Sequence, residues 1–284
     1  MLRVAVVGAG RMGQGIALAL SRSGAPVSLL SRKPKQVVPP LTATGPPWSA
    51  AIRGAELVLL ATPDGVLEEV AARLARDGGI GAGHVVLHLS GLRDRRALAA
   101  LAATGAGLGS FHPLQTVAEP ATAPERLRGA YAGIEGDARA IEVGERLALL
   151  IGMIPVRLPA ETKAAYHAGA TLVANYTVVL VGVAERLARE AGVPAELAAR
   201  IYLPLLEGAT ANLRSLPPAR ALTGAVRRGD TATVMAHLAA LGPIDRTLYA
   251  MLGREALVLA REAGLAAERA AEVERVLEQA LTGR

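Results

Sequence analysis

Apolar positions follow two different rhythms along this chain. As far as Arg157, short apolar runs alternate with stretches of helical period: residues 2–7, 26–31, 56–61, 84–89, 107–111, 130–134 and 154–157 read as strands. Between them, residues 11–24, 93–103 and 137–151 read as helices. Another helix opens at Thr62-Pro63-Asp64 with Asp64 as its capping candidate, and residues 34–47 form a proline-rich loop. The run at 56–61 is apolar throughout, as expected of a strand covered on both faces. Strands alternating with helices predict an α/β fold with a doubly wound, mostly parallel sheet that binds ligands at the carboxyl ends of its strands. After Pro159 only helical periods remain, over residues 161–191, 194–215, 219–228, 230–241, 244–263 and 266–281. Two domains are expected: residues 1–158, and an all-helical half over 159–284.

The first strand runs without a gap into Gly8-Ala9-Gly10-Arg11-Met12-Gly13. In a strand–turn–helix unit, Gly8 permits the tight turn, Gly10 lets backbone approach a pyrophosphate, and Gly13 lets helix and strand pack closely. The helix N-terminus then offers unpaired N–H groups and a positive dipole end to an anion. This predicts dinucleotide binding; the alternative is a glycine-rich turn in an ordinary α/β sheet. Sheets that bind NAD place Asp or Glu at the end of the second strand to take the ribose hydroxyls. Here that position reads Ser31-Arg32-Lys33. Arg32 can stack on adenine or fork onto a 2′-phosphate, Lys33 adds a point charge, and Arg11 can help from the turn, so NADP(H) is the expected cofactor. Otherwise the two are plain surface cations. The loop at Ala61-Thr62-Pro63 should border the cofactor, with Met12 opposite.

Composition removes several other classes. With 284 residues, 51% of them hydrophobic, there is ample material for two cores. No cysteine is present, so disulfides and thiolate metal sites are excluded, and nothing completes a metal site around His84 and His88. The formal charge of +6 is scattered among acidic residues, and aromatic residues make up only 2%, which argues against nucleic acid as a partner. Met1 leads straight into the first strand with no basic-then-apolar leader, which points to a cytoplasmic protein. Residues 164–184 carry no Lys, Arg, Asp or Glu, but His167, Thr171, Asn175 and Thr177 interrupt them and charges bracket them. This segment reads as a helix buried between protein surfaces rather than a bilayer span.

The fingerprint, the Ala-Thr-Pro-Asp turn at 61–64 and the long helix opening a helical second half resemble the 6-phosphogluconate dehydrogenase-like superfamily. That superfamily includes β-hydroxyacid dehydrogenases, pyrroline-5-carboxylate reductase and prephenate dehydrogenase. More specifically, His88-Leu89-Ser90-Gly91, the run from Ser110 to Thr116, Lys163 with Tyr166-His167, Asn175-Tyr176, Leu222-Thr223-Gly224 and Arg228-Gly229-Asp230 resemble a family of NADP-dependent oxidoreductases. In that family the C-terminal half is a domain of unknown function. The resemblance covers essentially the whole chain, and it implies a Rossmann domain followed by a helical substrate and dimerisation domain. Helices of this superfamily commonly pack across a two-fold axis, so a homodimer through the C-terminal domain is expected.

β-Hydroxyacid dehydrogenases carry a catalytic lysine four residues before an asparagine; four before Asn175 this chain has Thr171. His167, Thr171 and Asn175 share a helix face, drifting about 40° per step, with Lys163 one step further back. His167 is then the candidate proton donor and Asn175 the residue that fixes the substrate, unless His167 is a hydrogen-bonded interior histidine. Catalytic candidates are therefore His167, Asn175 and Lys163. Candidates for substrate contact are Thr171, Ser90 (which could also reach the nicotinamide ribose) and His112, whose alternative role is ordering its loop. The expected activity is hydride transfer from NADPH to a small carbonyl or imine held between the domains. Its alternatives are a specific pyrroline-5-carboxylate reductase or prephenate dehydrogenase-like enzyme and a redox-silent NADP-binding sensor or scaffold.

Overall fold

The computed structural model describes residues 1–33 and 35–283. The chain divides into two compact units, Met1–Tyr176 and Thr177–Arg284. The first is built on one sheet of eight strands: β1 (Val4–Val7), β2 (Val27–Leu30), β3 (Ala43–Thr44), β4 (Leu57–Leu60), β5 (Val85–His88), β6 (Gly107–Pro113), β7 (Tyr131–Gly136) and β8 (Ile154–Arg157). Their order is β3-β2-β1-β4-β5-β6-β7-β8, parallel throughout except for the antiparallel joint of β6 and β7. Alternation along the central strands sends side chains to two cores. Val4, Val6, Leu57 and Leu59 enter one, while Ala5, Val7, Val58 and Leu60 enter the other. A strand filled on both faces must be apolar throughout, and this is the physical origin of the unbroken apolar runs in the sequence.

The sheet is the doubly wound one expected, with local differences. A two-residue strand, β3, lies inside the proline-rich loop beside Leu29 and Leu30, too short to leave a periodic signal. Asp64 does not cap a helix by its side chain; it heads the 3-10 turn Asp64–Val66, ahead of the helix Leu67–Arg76, and its carboxylate accepts from Ser90 instead. The segment expected as a helix over 93–103 is the 3-10 helix Arg95–Thr104, capped by Asp94 accepting from the Arg96 N–H.

In the second unit the helices Thr231–Ala240, Pro243–Glu262 and Ala267–Thr282 enclose a core of Val234, Leu238, Leu257, Val273 and Leu277. A Cβ at Gly253 would lie 2.8 Å from Leu277, so glycine sets how closely two of these helices approach. The helix expected over 219–228 is broken into Pro218–Ala221 and Ala225–Arg228, with Gly224 between them at φ 93°, outside helical space. Likewise 194–215 divides into Ala195–Ala198 and Leu203–Ser215. The sequence changes character at Pro159, whereas the compact units divide inside the long helix Lys163–Glu190. Its first turn carries Lys163, Tyr166 and His167 onto the ends of the strands and so belongs with the sheet.

Candidate active site

The glycine turn at the end of β1 is shaped by contacts on two sides and by space on the third. Gly8 has φ 119°, and a Cβ there would overlap the Ala61 carbonyl at the end of β4; a Cβ on Gly13 would overlap the Gly8 carbonyl. At Gly10, by contrast, nothing lies within 4 Å of the Cβ position. Gly10 is the extended N-cap of the helix Arg11–Arg22, which has no side-chain cap and no carboxylate in its first turn. The first intrahelical bond runs from the Gln14 N–H to the Gly10 carbonyl at 2.9 Å, which leaves the amides of Arg11, Met12 and Gly13 ahead of it. Nearby, Thr62 Oγ1 is buried with no partner among the described residues. An open glycine, an uncapped helix start and an unsatisfied hydroxyl fit the pyrophosphate and ribose of a dinucleotide. Beyond β2, the Ser31 hydroxyl donates to the Lys33 carbonyl at 2.7 Å and orders the turn. Arg32 and Lys33 are exposed there, and neither enters an ion pair among the described residues.

A cavity of about 360 Å³ runs from Gly10 and Met12 past Thr62 to Ser90 and His112. Its far wall is set by a buried polar framework. His88, at the end of β5, is wholly buried; its Nε2 donates to the Asp94 carbonyl at 3.0 Å and its Nδ1 accepts from the Ser90 N–H at 3.2 Å, which assigns its tautomer. Burial pushes its pKa down to about 4. The Ser90 hydroxyl donates to Asp64 Oδ2 at 2.8 Å and accepts from the N–H groups of Leu92 and Arg93 at 3.2 and 2.9 Å. It is therefore engaged in holding its own loop, and a substrate would have to compete with three existing bonds.

Lys163 is also fully buried. Its Nζ donates to Ser110 Oγ at 2.8 Å and to the Ser90 carbonyl at 3.3 Å, and Ser110 Oγ in turn donates to Glu135 Oε2 at 3.3 Å. Glu135 Oε2 also accepts from the Arg95 N–H at 2.9 Å. Burial pushes the lysine pKa down and that of Glu135 up, and each opposite charge partly restores the other. Lys163 is not among the residues lining the cavity. It ties β5, β6 and the long helix together behind it.

In front of this framework two histidines meet. His112, from the end of β6, lies edge-on to Tyr166 and to His167 with ring centroids 5.7 and 5.3 Å apart, and its Nδ1 is 3.4 Å from the Tyr166 hydroxyl. Burial, then the neighbouring His167 and Lys163, push its pKa down to about 4, so His112 is neutral at pH 7. His167 Nδ1 is buried with no partner among the described residues. A Cβ on Gly91 would overlap His167 Nδ1 and lie 2.8 Å from His112 Cε1 and Nε2, so bare backbone is what lets the corner close.

The helical stripe expected to carry catalysis reaches the sheet only in part. The Thr171 hydroxyl is turned back onto the His167 carbonyl at 3.1 Å, and Asn175 is exposed. The stripe drifts by about 40° per step, so three steps from Lys163 carry Asn175 roughly 120° around the helix. Two members of the corner, Gly91 and Tyr166, enter the reading of the sequence only as residues that carry the family resemblance, with no chemical role assigned to them. Tyr166 was accessible to it, because a residue three after Lys163 shares its face.

Residues 1–113 match a Rossmann-like domain, and residues 130–256 match the domain of unknown function DUF2520. No curated protein matches the chain. Among solved structures, it is similar to a Bacteroides fragilis protein provisionally assigned as an NADP oxidoreductase. That match has 20% identity and a TM-score of 0.71, over 90% of this chain and 97% of the other. It is also similar to a Thermotoga maritima protein, at 24% identity and a TM-score of 0.69 over 91% and 98% of the two chains. A Plasmodium falciparum pyrroline carboxylate reductase with NADP bound matches at 10% identity and a TM-score of 0.57, over 99% and 97%. At such identities the likeness is one of fold. The chain therefore carries a Rossmann-like domain over residues 1–113 and a DUF2520 domain over residues 130–256, the second beginning at the last two strands of the sheet and running on into the helical half.

Proposed function

We propose that the chain is an NADPH-dependent oxidoreductase that reduces a small polar carbonyl or imine compound. The observation that carries this reading is a single cavity with the fingerprint turn at one end and His112 at the other. The Gly10 backbone and the amides after it hold the pyrophosphate, while Thr62 offers its hydroxyl to the cofactor. Arg32, with Lys33, Ser31 and Arg11 around it, takes the 2′-phosphate. The bound cofactor supplies hydride. His112 is the histidine that lines the cavity, and His167, whose ring meets it edge-on and does not itself line the cavity, provides the proton for the substrate oxygen or nitrogen by way of neutral His112, which can accept and pass on a hydrogen bond. Lys163, Ser110 and Glu135 keep β5 and β6 in register behind the two rings. Two of the similar structures support the nicotinamide reading by name, and the pyrroline carboxylate reductase favours an imine over a ketone. The same reading makes the working unit a homodimer through the helical half.

The test is NADPH consumption over a panel of carbonyl and imine compounds, with binding titrations of NADPH and NADH. Two charge-assisted hydrogen bonds to the 2′-phosphate give a preference for NADPH of about 10² to 10⁴. The double variant Arg32→Ala, Lys33→Ala should lose most of it. Equal affinity for both dinucleotides would remove the NADP assignment, and tight NADPH binding with no turnover of any compound would leave a redox-silent protein.

A further inference from the structure

In the helical unit a hollow of about 680 Å³ opens between the 220–228 turn and the start of the helix Ala267–Thr282. Arg220, Arg227, Arg228 and Arg269 line it, and no carboxylate does. None of the four enters an ion pair among the described residues, whereas Arg186, Arg189 and Arg261 of the same unit are each paired with a carboxylate. The unit has nearly as many carboxylates as arginines, so an unmixed group of four is a local arrangement.

That arrangement is built by the Leu222-Thr223-Gly224 and Arg228-Gly229-Asp230 segments, which the active site leaves unexplained. Arg227 is held by a bond from Nη2 to the Ala263 carbonyl at 2.9 Å. Gly229 ends the helix Ala225–Arg228 at φ 66°, and a Cβ there would lie 2.8 Å from Arg269 Cβ, so glycine lets the Arg269 stem cross the turn. Asp230, two residues after Arg228 and within reach of its charge, caps the helix Thr231–Ala240, where it accepts from the Thr233 N–H at 3.1 Å and its hydroxyl at 2.7 Å, and Glu268, next to Arg269 in sequence, is exposed and does not line the hollow.

We propose that this hollow binds a small multivalent anion, its phosphate or carboxylate groups gripped by the forks of Arg228 and Arg269 with Arg220 and Arg227 beside them. Guanidinium forks match the planar oxygens of both groups, and the volume suits a metabolite-sized molecule. Nucleic acid is a poorer fit, because the chain has one Trp, one Phe and five Tyr for stacking.

The test is calorimetric titration of the full-length protein, saturated with NADP⁺, with inorganic pyrophosphate and separately with citrate. At least one probe should bind saturably and weaken with added salt. Binding should fall at least about ten-fold in Arg228→Gln and in Arg269→Gln, and about a hundred-fold in the double variant. Preference for pyrophosphate would assign a phosphate-bearing ligand, and preference for citrate a polycarboxylate. NADP⁺ affinity should be unchanged in these variants, so failure of the cofactor reading and failure of this one are read separately. If a variant does not fold, Arg220→Gln at the rim gives the same direction of change. The proposal is overturned by no saturable binding at millimolar concentration, by equal binding in the variants, or by tighter binding of a single-stranded oligonucleotide than of either probe.

Discussion

At Gly91 the volume that a Cβ would fill is already taken by His167 Nδ1 and the edge of His112. Gly91→Ala has to displace a ring or the backbone, which should cost about 1–3 kcal/mol as overpacking. It should lower turnover while NADPH titrates normally; an unmoved melting midpoint with full turnover would show that the corner is not closed there. His167→Asn removes the proton but keeps the polarity, so turnover should fall about 10²-fold or more at unchanged NADPH affinity. Full turnover in that variant would leave His167 an interior histidine. The buried histidines also set an acid limit. His88 and His112 both titrate near 4 in the folded protein against an ordinary value of 6.5. The unfolded chain therefore binds more protons between those values. Stability is fully present above pH 6.5 and falls as pH drops towards 4, by an amount on the order of 3 kcal/mol per histidine. Denaturant midpoints at a series of pH values would show this, and His88→Gln, which cannot titrate, should flatten the acid limb. An unchanged acid limb in that variant would mean that His88 is not part of the cause.

Among the elements, the β1 turn is where sequence and structure agree most directly, because its glycines are fixed by contacts within a few residues and by one neighbouring strand. Gly8→Ala meets both a φ of 119° and the Ala61 carbonyl. It should destabilise the first unit by about 3 kcal/mol or more and abolish dinucleotide binding. A variant that melted like the wild type would mean that the turn can relax. The central strands β1, β4 and β5 are equally legible, since covering on both faces leaves an unbroken apolar run, whereas the two-residue β3 leaves none. What the sequence does not display is contact between distant elements. Nothing near Ser90 announces Asp64, and nothing near Lys163 announces Ser110 and Glu135, because those pairings exist only once β4, β5, β6 and β7 lie side by side. Helical phase did bring Lys163 and His167 to the sheet. It failed for Asn175 because a four-residue spacing is not a helical repeat, and three steps of drift turn the stripe away.

At the scale of the whole molecule, the unresolved demand is an apolar surface. The helical segment 160–190 is long and apolar enough to cross a membrane, and none of its most apolar window is buried within the chain. Leu172 is 60% exposed, Val178 72% and, on the helix Leu203–Ser215, Leu205 71%. The run of uncharged residues at 164–184 predicts a helix buried between protein surfaces, and a single chain does not bury it. A bilayer is a poor cover, because Lys163, Tyr166 and His167 fasten one end of the helix to the sheet and Arg186 pairs with Asp245 near the other. Both ends are thus held in folded protein on short tethers. A second copy meets the demand at lower cost, since exposed apolar patches of this kind mark association sites and a stable dimer needs only about 1,000 Å² or more. Light scattering at micromolar concentration should give twice the chain mass. Val178→Glu and Leu205→Glu place charges on the apolar faces and should shift that mass towards the monomer. A wild-type monomer would exclude the dimer, and flotation of the wild type with lipid vesicles, lost in Val178→Glu, would make the cover a membrane instead.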